Sequence, residues 1–166
     1  MQNFAFSTGK LYLGAVGATL DDTNLIVTVQ SADFSNTFQT KEVREAASIN
    51  LYPVADADYD AECKLSVAVS VLAEALIEYC TGAVKSQTGG ANVYTASCLT
   101  KPKYASLKFV GKTHDGRDIT IEMARVKAPT LPLGFKRDDF VQPAIEFKVL
   151  PVDAAAIPFK ISIAQS

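Results

Sequence analysis

The chain contains no tryptophan, a single histidine and only three cysteines in 166 residues. One histidine excludes a histidine-clustered metal centre, and His114 stands in a turn sequence with no neighbouring motif that would make it a general base. No Gly-x-Ser-x-Gly elbow is present either, so an acyl-transfer nucleophile of that kind is excluded. Cys63, Cys80 and Cys98 form neither a Cys-x-x-Cys pair nor an even set. They are expected to be buried reduced thiols, with the odd one open to an intersubunit disulfide. No apolar run reaches membrane-spanning length, and Met1-Gln2-Asn3-Phe4 lacks the basic and apolar regions of a signal peptide. The expectation is a cytoplasmic protein that makes no use of a membrane.

Two further motifs fail on spacing. Asp56, Asp58 and Asp60 open like a calcium loop, but the sixth position is Ala61 instead of glycine and the twelfth is Val67 instead of glutamate. Gly111-Lys112-Thr113 ends like a phosphate-binding loop, yet Ser106 stands where the upstream glycine belongs, and a hairpin turn follows instead of a helix. Without a persuasive catalytic set, the chain is not expected to be an enzyme; no cofactor or metal is assigned.

What the sequence does have is strand pattern. With 48% apolar and 20% charged residues, its length supports one globular domain over 1–166. Ala105, Leu107 and Phe109 alternate with Ser106, Lys108 and Val110, and Ile119, Ile121 and Met123 alternate with Asp118, Thr120 and Glu122. Two arms of period two, each with one apolar face, predict a half-buried antiparallel hairpin. Asp115-Gly116 between them supplies the positive φ of a tight turn. An opening strand is expected over 10–16.

The stretch 25–44 is unusually long for one strand pattern. Leu25-Ile26-Val27-Thr28-Val29 favours β structure; beyond it Ala32, Phe34, Asn36 and Phe38 fall on one face and Asp33, Ser35, Thr37 and Gln39 on the other. The second face is small, polar and nearly free of cations. From 41 to 60 the pattern breaks down, and an extended loop is expected, although a further strand over 48–54 is an alternative. Its apolar Ile49, Leu51 and Tyr52 require a surface to cover them, as unstructured runs of this length are uncommon inside a domain. Over 65–72 strand and helix periodicities overlap. The expectation is strand to about Val69 and helix from there to Cys80, stopped by Gly82. A flexible connection or exposed hairpin is expected over 81–96.

Net charge is −2, but it is unevenly placed. Residues 1–62 hold three basic and nine acidic residues, a balance of −6, whereas 101–137 hold nine basic and three acidic, a balance of +6. Pairing within the monomer is one explanation. Head-to-tail association between copies is the other, and such contacts close into rings or grow into filaments.

After the hairpin come Val126-Lys127-Ala128-Pro129, then Leu131-Pro132-Leu133-Gly134-Phe135, then Lys136-Arg137-Asp138-Asp139-Phe140, and a last alternating strand with Ile145, Phe147 and Val149. This order of strand and loop patterns, over the whole chain, resembles the tail tube proteins of long-tailed bacteriophages. The resemblance implies a mainly β, antiparallel sandwich or barrel-like subunit with one short α-helix and a long inter-subunit loop. It implies a structural virion protein assembling into hexameric rings, stacked as a hollow tube through which DNA is delivered without specific binding. Its implied partners are further copies of itself, tape measure and tail tip or terminator proteins, and in contractile particles a sheath. Its implied location is the virion tail, after assembly in the host cytoplasm.

Within a tube, a wall lacking Lys or Arg would not hold passing phosphates. Asp33, Ser35, Thr37 and Gln39 are therefore the lumen candidates, with Glu146 and Lys148 as secondary ones. Glu42, Arg44, Ile49, Leu51 and Tyr52 are the candidates for contact with adjoining subunits. The alternative reading from another class is a monomeric β-sandwich that binds a ligand or acts as an adaptor.

Overall fold

The computed structural model describes residues 4–6, 9–44, 53–69, 73–113, 115–128, 130–131, 144–150 and 159–165, with the backbone alone at 4–6, 38–44 and 53–62. In chain order the strands are β1 (Phe4–Phe6), β2 (Gly9–Gly14), β3 (Leu25–Arg44) and β4 (Pro53–Val69), then helix α1 (Glu74–Thr81). The remaining strands are β5 (Val84–Thr88), β6 (Ala91–Thr95), β7 (Ala105–Lys112), β8 (Asp118–Lys127), β9 (Ala144–Val149) and β10 (Phe159–Ile163). The class is mainly β with antiparallel pairing, as expected.

The β7–β8 hairpin forms because its two apolar faces coincide. Leu107 pairs with Met123, Phe109 with Ile121 and Gly111 with Ile119, and all six residues are buried. Gly116 takes φ +79° in the turn. Its amide donates to the Thr113 carbonyl at 2.9 Å, and the Arg117 amide donates to Thr113 Oγ1 at 3.2 Å. Gly111-Lys112-Thr113 thus ends a strand and shapes a turn, as the sequence predicted.

Closure is the organising feature. β2 pairs with β3 and β7, β7 with β8, β8 with β9, β9 with β4, and β4 returns to β3, giving a closed six-stranded barrel. Closing the sheet gives each of these strands two neighbours along at least part of its length, which removes the exposed edges of an open sheet. β1 adds to β3 beside Phe34, and β10 adds to β8 beside Ile121. Inside lie Leu11, Val29, Leu65, Phe109, Ile121, Ile145 and Phe147, each fully buried. At about 1.5–3 kcal/mol per large side chain buried, these residues dominate the favourable side of folding. Gly9 is required by this packing, since a Cβ there would overlap the Phe109 ring.

Helix α1 is shorter than its sequence signal. β4 ends at Val69 as expected, fully buried opposite Val29, but the helix does not follow directly: Ala73 is its N-cap and Glu74 its first residue. α1 lays Leu76 and Cys80 into the core. Gly82 ends it at φ +71°, its amide donating to the Glu78 carbonyl at 2.9 Å. Glu74 accepts from Lys85 Nζ and Asn92 Nδ2 at 2.8 Å each, tying the exposed β5–β6 hairpin to the helix. The Lys85 bond above all holds the Glu74 carboxyl down at about 2. Of the two readings for 81–96, this is the exposed hairpin.

The cysteines differ from expectation in one respect. Cys80 is buried and Cys63 half-buried, and burial pushes their thiols up to about 12 and about 11. Cys98 is exposed. Because the thiolate is the reactive form, a colorimetric thiol assay at pH 8 should register one fast thiol in the folded protein and three after denaturation. Three fast thiols before denaturation would show that Cys63 and Cys80 are not held as described.

Candidate functional site

The largest departure from the sequence reading lies at 41–60. Lys41–Arg44 belongs to β3 and 53–60 to β4, so most of the expected loop is strand. The backbone amides and carbonyls of the two segments satisfy each other across the hairpin, which alternating charge and small apolar residues permit as readily as a loop. β3 and β4 continue as a two-stranded ribbon beyond the barrel, from Asn36 opposite Cys63 to Arg44 opposite Pro53. Nine register pairs at ~3.3 Å per residue make it about 30 Å long. Among the described residues neither outer edge of this ribbon is paired, since β1 reaches only Phe34 and β9 only Lys64. Glu42 and Arg44 lie on the ribbon in β3, whereas Ile49, Leu51 and Tyr52 lie outside the described residues. Asp56, Asp58 and Asp60 occupy every second position of β4, extended backbone in place of a coiled calcium loop.

Where β3 leaves the barrel, burial separates the two faces at Ala32, Asp33 and Phe34, whereas Asn36 is half-buried and the Phe38 side chain lies outside the described residues. Phe34 is buried and its ring lies 5.2 Å from that of Phe159, while Asp33 is exposed and Ser35 and Thr37 are half-buried. The Gln39 side chain lies outside the described residues. Register then gathers several predicted positions on one outer surface. Asp33 stands opposite Ser66, and Ser66 opposite Glu146; one row on, Ser35 stands opposite Lys64, and Lys64 opposite Lys148. Leu65, Val67, Ile145 and Phe147, interleaved with these residues, point into the core.

The same surface carries cations from the neighbouring strands. Asp33, Ser35, Thr37 and Gln39 of β3 bring none, but Lys148 is followed in register by Lys127 of β8. Lys64, Lys148 and Lys127 therefore form one row across three strands, at ~4.8 Å per strand. Lys64 Nζ lies 3.7 Å from Glu146 Oε1 in a partly exposed pair. A wall containing this row would hold phosphates, so the low-attraction part of the surface is the Asp33, Ser66 and Glu146 row alone.

Sequence reasoning missed Lys127, Arg125 and Tyr104 as members of this surface, and a β-bulge is the reason. Leu107 pairs with Met123 but Ala105 pairs with Val126, so β8 holds an extra residue. Strict alternation from Ile119 would send Arg125 and Lys127 inward. The bulge turns Val126 and Ala128 inward instead, both buried. Arg125 Cζ then sits 4.0 Å from the centre of the Tyr104 ring, with Lys127 Nζ at 5.8 Å. Ser106 supports the bulge: its buried hydroxyl donates to the Ala124 carbonyl at 2.8 Å and accepts from the Gly17 amide at 3.0 Å. The usable signal was the shift of apolar residues from odd to even positions after Met123.

Elsewhere, a cavity of about 630 Å³ opens between the 16–20 loop, β7, β8 and Phe159, lined by apolar Val16, Leu20 and Met123 with Lys108, Glu122 and Lys160. No group of three or more metal-ligating side chains occurs among the described residues, and no described helix is long and apolar enough to cross a membrane. Neither a protein-family model nor a curated protein matches the chain.

Proposed function

We infer that the chain is a structural subunit that assembles with copies of itself, in the manner of the phage tail tube proteins it resembles. The observation that carries this reading is the ribbon of β3 and β4, which extends about 30 Å beyond a closed barrel with no strand on either side among the described residues. An isolated two-stranded ribbon is marginally stable at best in water, whereas one that packs on a neighbouring molecule gains the buried area it lacks. A closed barrel offers few free edges of its own, so the ribbon is the natural means of linking copies. The opposite charge of residues 1–62 and 101–137 agrees with head-to-tail contact between copies.

On this reading the subunits form hexameric rings that stack into a tube for DNA passage, capped and measured by tail tip, terminator and tape measure proteins. Catalysis plays no part. Negative-stain electron microscopy of the concentrated protein should show annular or tubular particles with a central hole. A protein that stays monomeric at every concentration, with tail initiator proteins included, overturns the proposal. The cavity of about 630 Å³ favours one other reading, a monomeric ligand-binding domain, because its size falls in the usual range for small-molecule sites.

A further inference from the structure

We propose that the groove between the 16–20 loop and the outer face of β7, β8 and β10 binds a small amphipathic anion, with its apolar body against the loop and its acid group at Lys108 and Lys160. The inference stands apart from the self-assembly reading, because the groove is complete within one subunit. Strand register builds its charged side. Leu107, Phe109, Ile121 and Met123 point into the core, so Lys108 and Glu122 between them point outward. Lys108 stands opposite Glu122, and Glu122 opposite Lys160, a row of three about 10 Å wide at ~4.8 Å per strand. These are the charged residues of the lining, two lysines to one glutamate, a balance of +1. Lys108 Nζ lies 5.7 Å from the centre of the Tyr12 ring, and Tyr12 is its register partner on the side away from Glu122.

The other side is apolar and held in place. Val16, Ala18 and Leu20 line it from the loop, and Val16 is 43% exposed. The Gly17 amide donates to the Ser106 hydroxyl at 3.0 Å, and that hydroxyl donates to the Ala124 carbonyl at 2.8 Å. Ser106 is thus occupied in fastening the loop to the barrel. Asp21 accepts from the Thr23 amide at 2.9 Å and caps the short helical turn that follows, which fixes the loop at its far end. A loop already held costs little further ordering when a ligand enters. The cavity of about 630 Å³ lies within the usual range for small-molecule sites, which are mainly apolar with a few polar groups to orient the ligand. An apolar wall beside a rim of net positive charge suits a hydrocarbon body that ends in a carboxylate. A neutral molecule leaves the lysines unused, and a cation is repelled by them.

Sodium decanoate is the test probe, titrated by calorimetry, with decyltrimethylammonium bromide as a chain of the same length and opposite charge. Wild type should bind decanoate with a Kd of about 1 mM or tighter, and the cation at least about fivefold more weakly. Lys108→Gln with Lys160→Gln should weaken decanoate by about fivefold and remove the preference for the anion, the scale expected of exposed charge contacts. Glu122→Gln should do the reverse and tighten decanoate by about threefold, because it removes a like charge from the row. Ala18→Trp, on the exposed loop, should abolish binding of both chains by filling the groove. Each protein is checked by circular dichroism, and Val16→Asp replaces Ala18→Trp if that variant fails to fold.

A wild type that does not bind decanoate, that binds both chains equally, or whose binding survives the lysine and Ala18 substitutions overturns the site. A Glu122→Gln protein that binds decanoate more weakly overturns the place given to the acid group. Substitutions that disperse assembled particles while decanoate binding is unchanged assign the groove to a neighbouring copy; the proposal then falls and self-assembly stands. Conversely, a protein that never assembles but binds decanoate as described upholds the groove while the self-assembly reading fails.

Discussion

Phe34→Ala should lower the unfolding free energy by roughly 3–5 kcal/mol, the range for removing a buried aromatic ring. Phe34 is 4% exposed and packs against Phe159 with ring centres 5.2 Å apart and planes tilted by 59°, so the cavity would open between β3 and β10 where two separate parts of the chain meet. A domain is typically stable by about 5–15 kcal/mol, so a large share of the total is at stake. Urea unfolding followed by circular dichroism should show the midpoint falling without a large change of slope. On the other face of β3 the outcome should differ. Thr37→Lys should cost about 1 kcal/mol or less, because Thr37 is only half-buried and a lysine head can reach water. Ser35→Lys should cost somewhat more, since it places a further cation opposite Lys64 in the basic row. If Phe34→Ala is harmless and Thr37→Lys unfolds the protein, the two faces of β3 are reversed.

Replacing residues 38–61 with Asn-Gly should abolish assembly and leave the barrel folded. Thr37 and Glu62 are register partners, so a two-residue turn of the kind favoured in hairpins can join them directly. The excision lies beyond the last pairing of β4 with β9 at Lys64, and every core residue of the barrel remains. Thermal melting should shift by only a few degrees, while ring or tube formation seen by electron microscopy should disappear. Rings from the shortened protein would mean that copies join through the barrel walls; a protein that no longer folds would mean that the ribbon belongs to the barrel's own stability.

Much of the barrel was legible in the sequence because alternation is local. Leu107, Phe109, Ile119, Ile121, Ile145 and Phe147 were placed by period two, and each is buried. Asp115-Gly116 fixed the β7–β8 turn, and Gly82 the end of α1. The end of β4 at Val69 was read correctly, but α1 starts only at Glu74, after the extended N-cap Ala73, because over 65–72 strand and helix periods overlap and give no local mark of where the helix begins. The ribbon was mistaken for a loop for a related reason. Over 55–62 Ala55, Ala57 and Ala61 alternate with acids and Tyr59 is the one large side chain, too few to mark a strand, although backbone pairing needs none.

The sequence by itself determined the composition of each face: which residues of β3, β7, β8 and β9 turn inward, and the opposite charge of the first 62 residues and of 101–137. Tertiary structure decided which faces become neighbours. Barrel closure brought Asp33, Ser66 and Glu146 into one row and Ser35, Lys64 and Lys148 into the next, from strands far apart in the chain. A bulge in β8 reversed the direction of Arg125 and Lys127 and turned them toward Tyr104. Register between distant strands and the insertion of a single residue follow from the packing of the whole core, so no local window of sequence contains them.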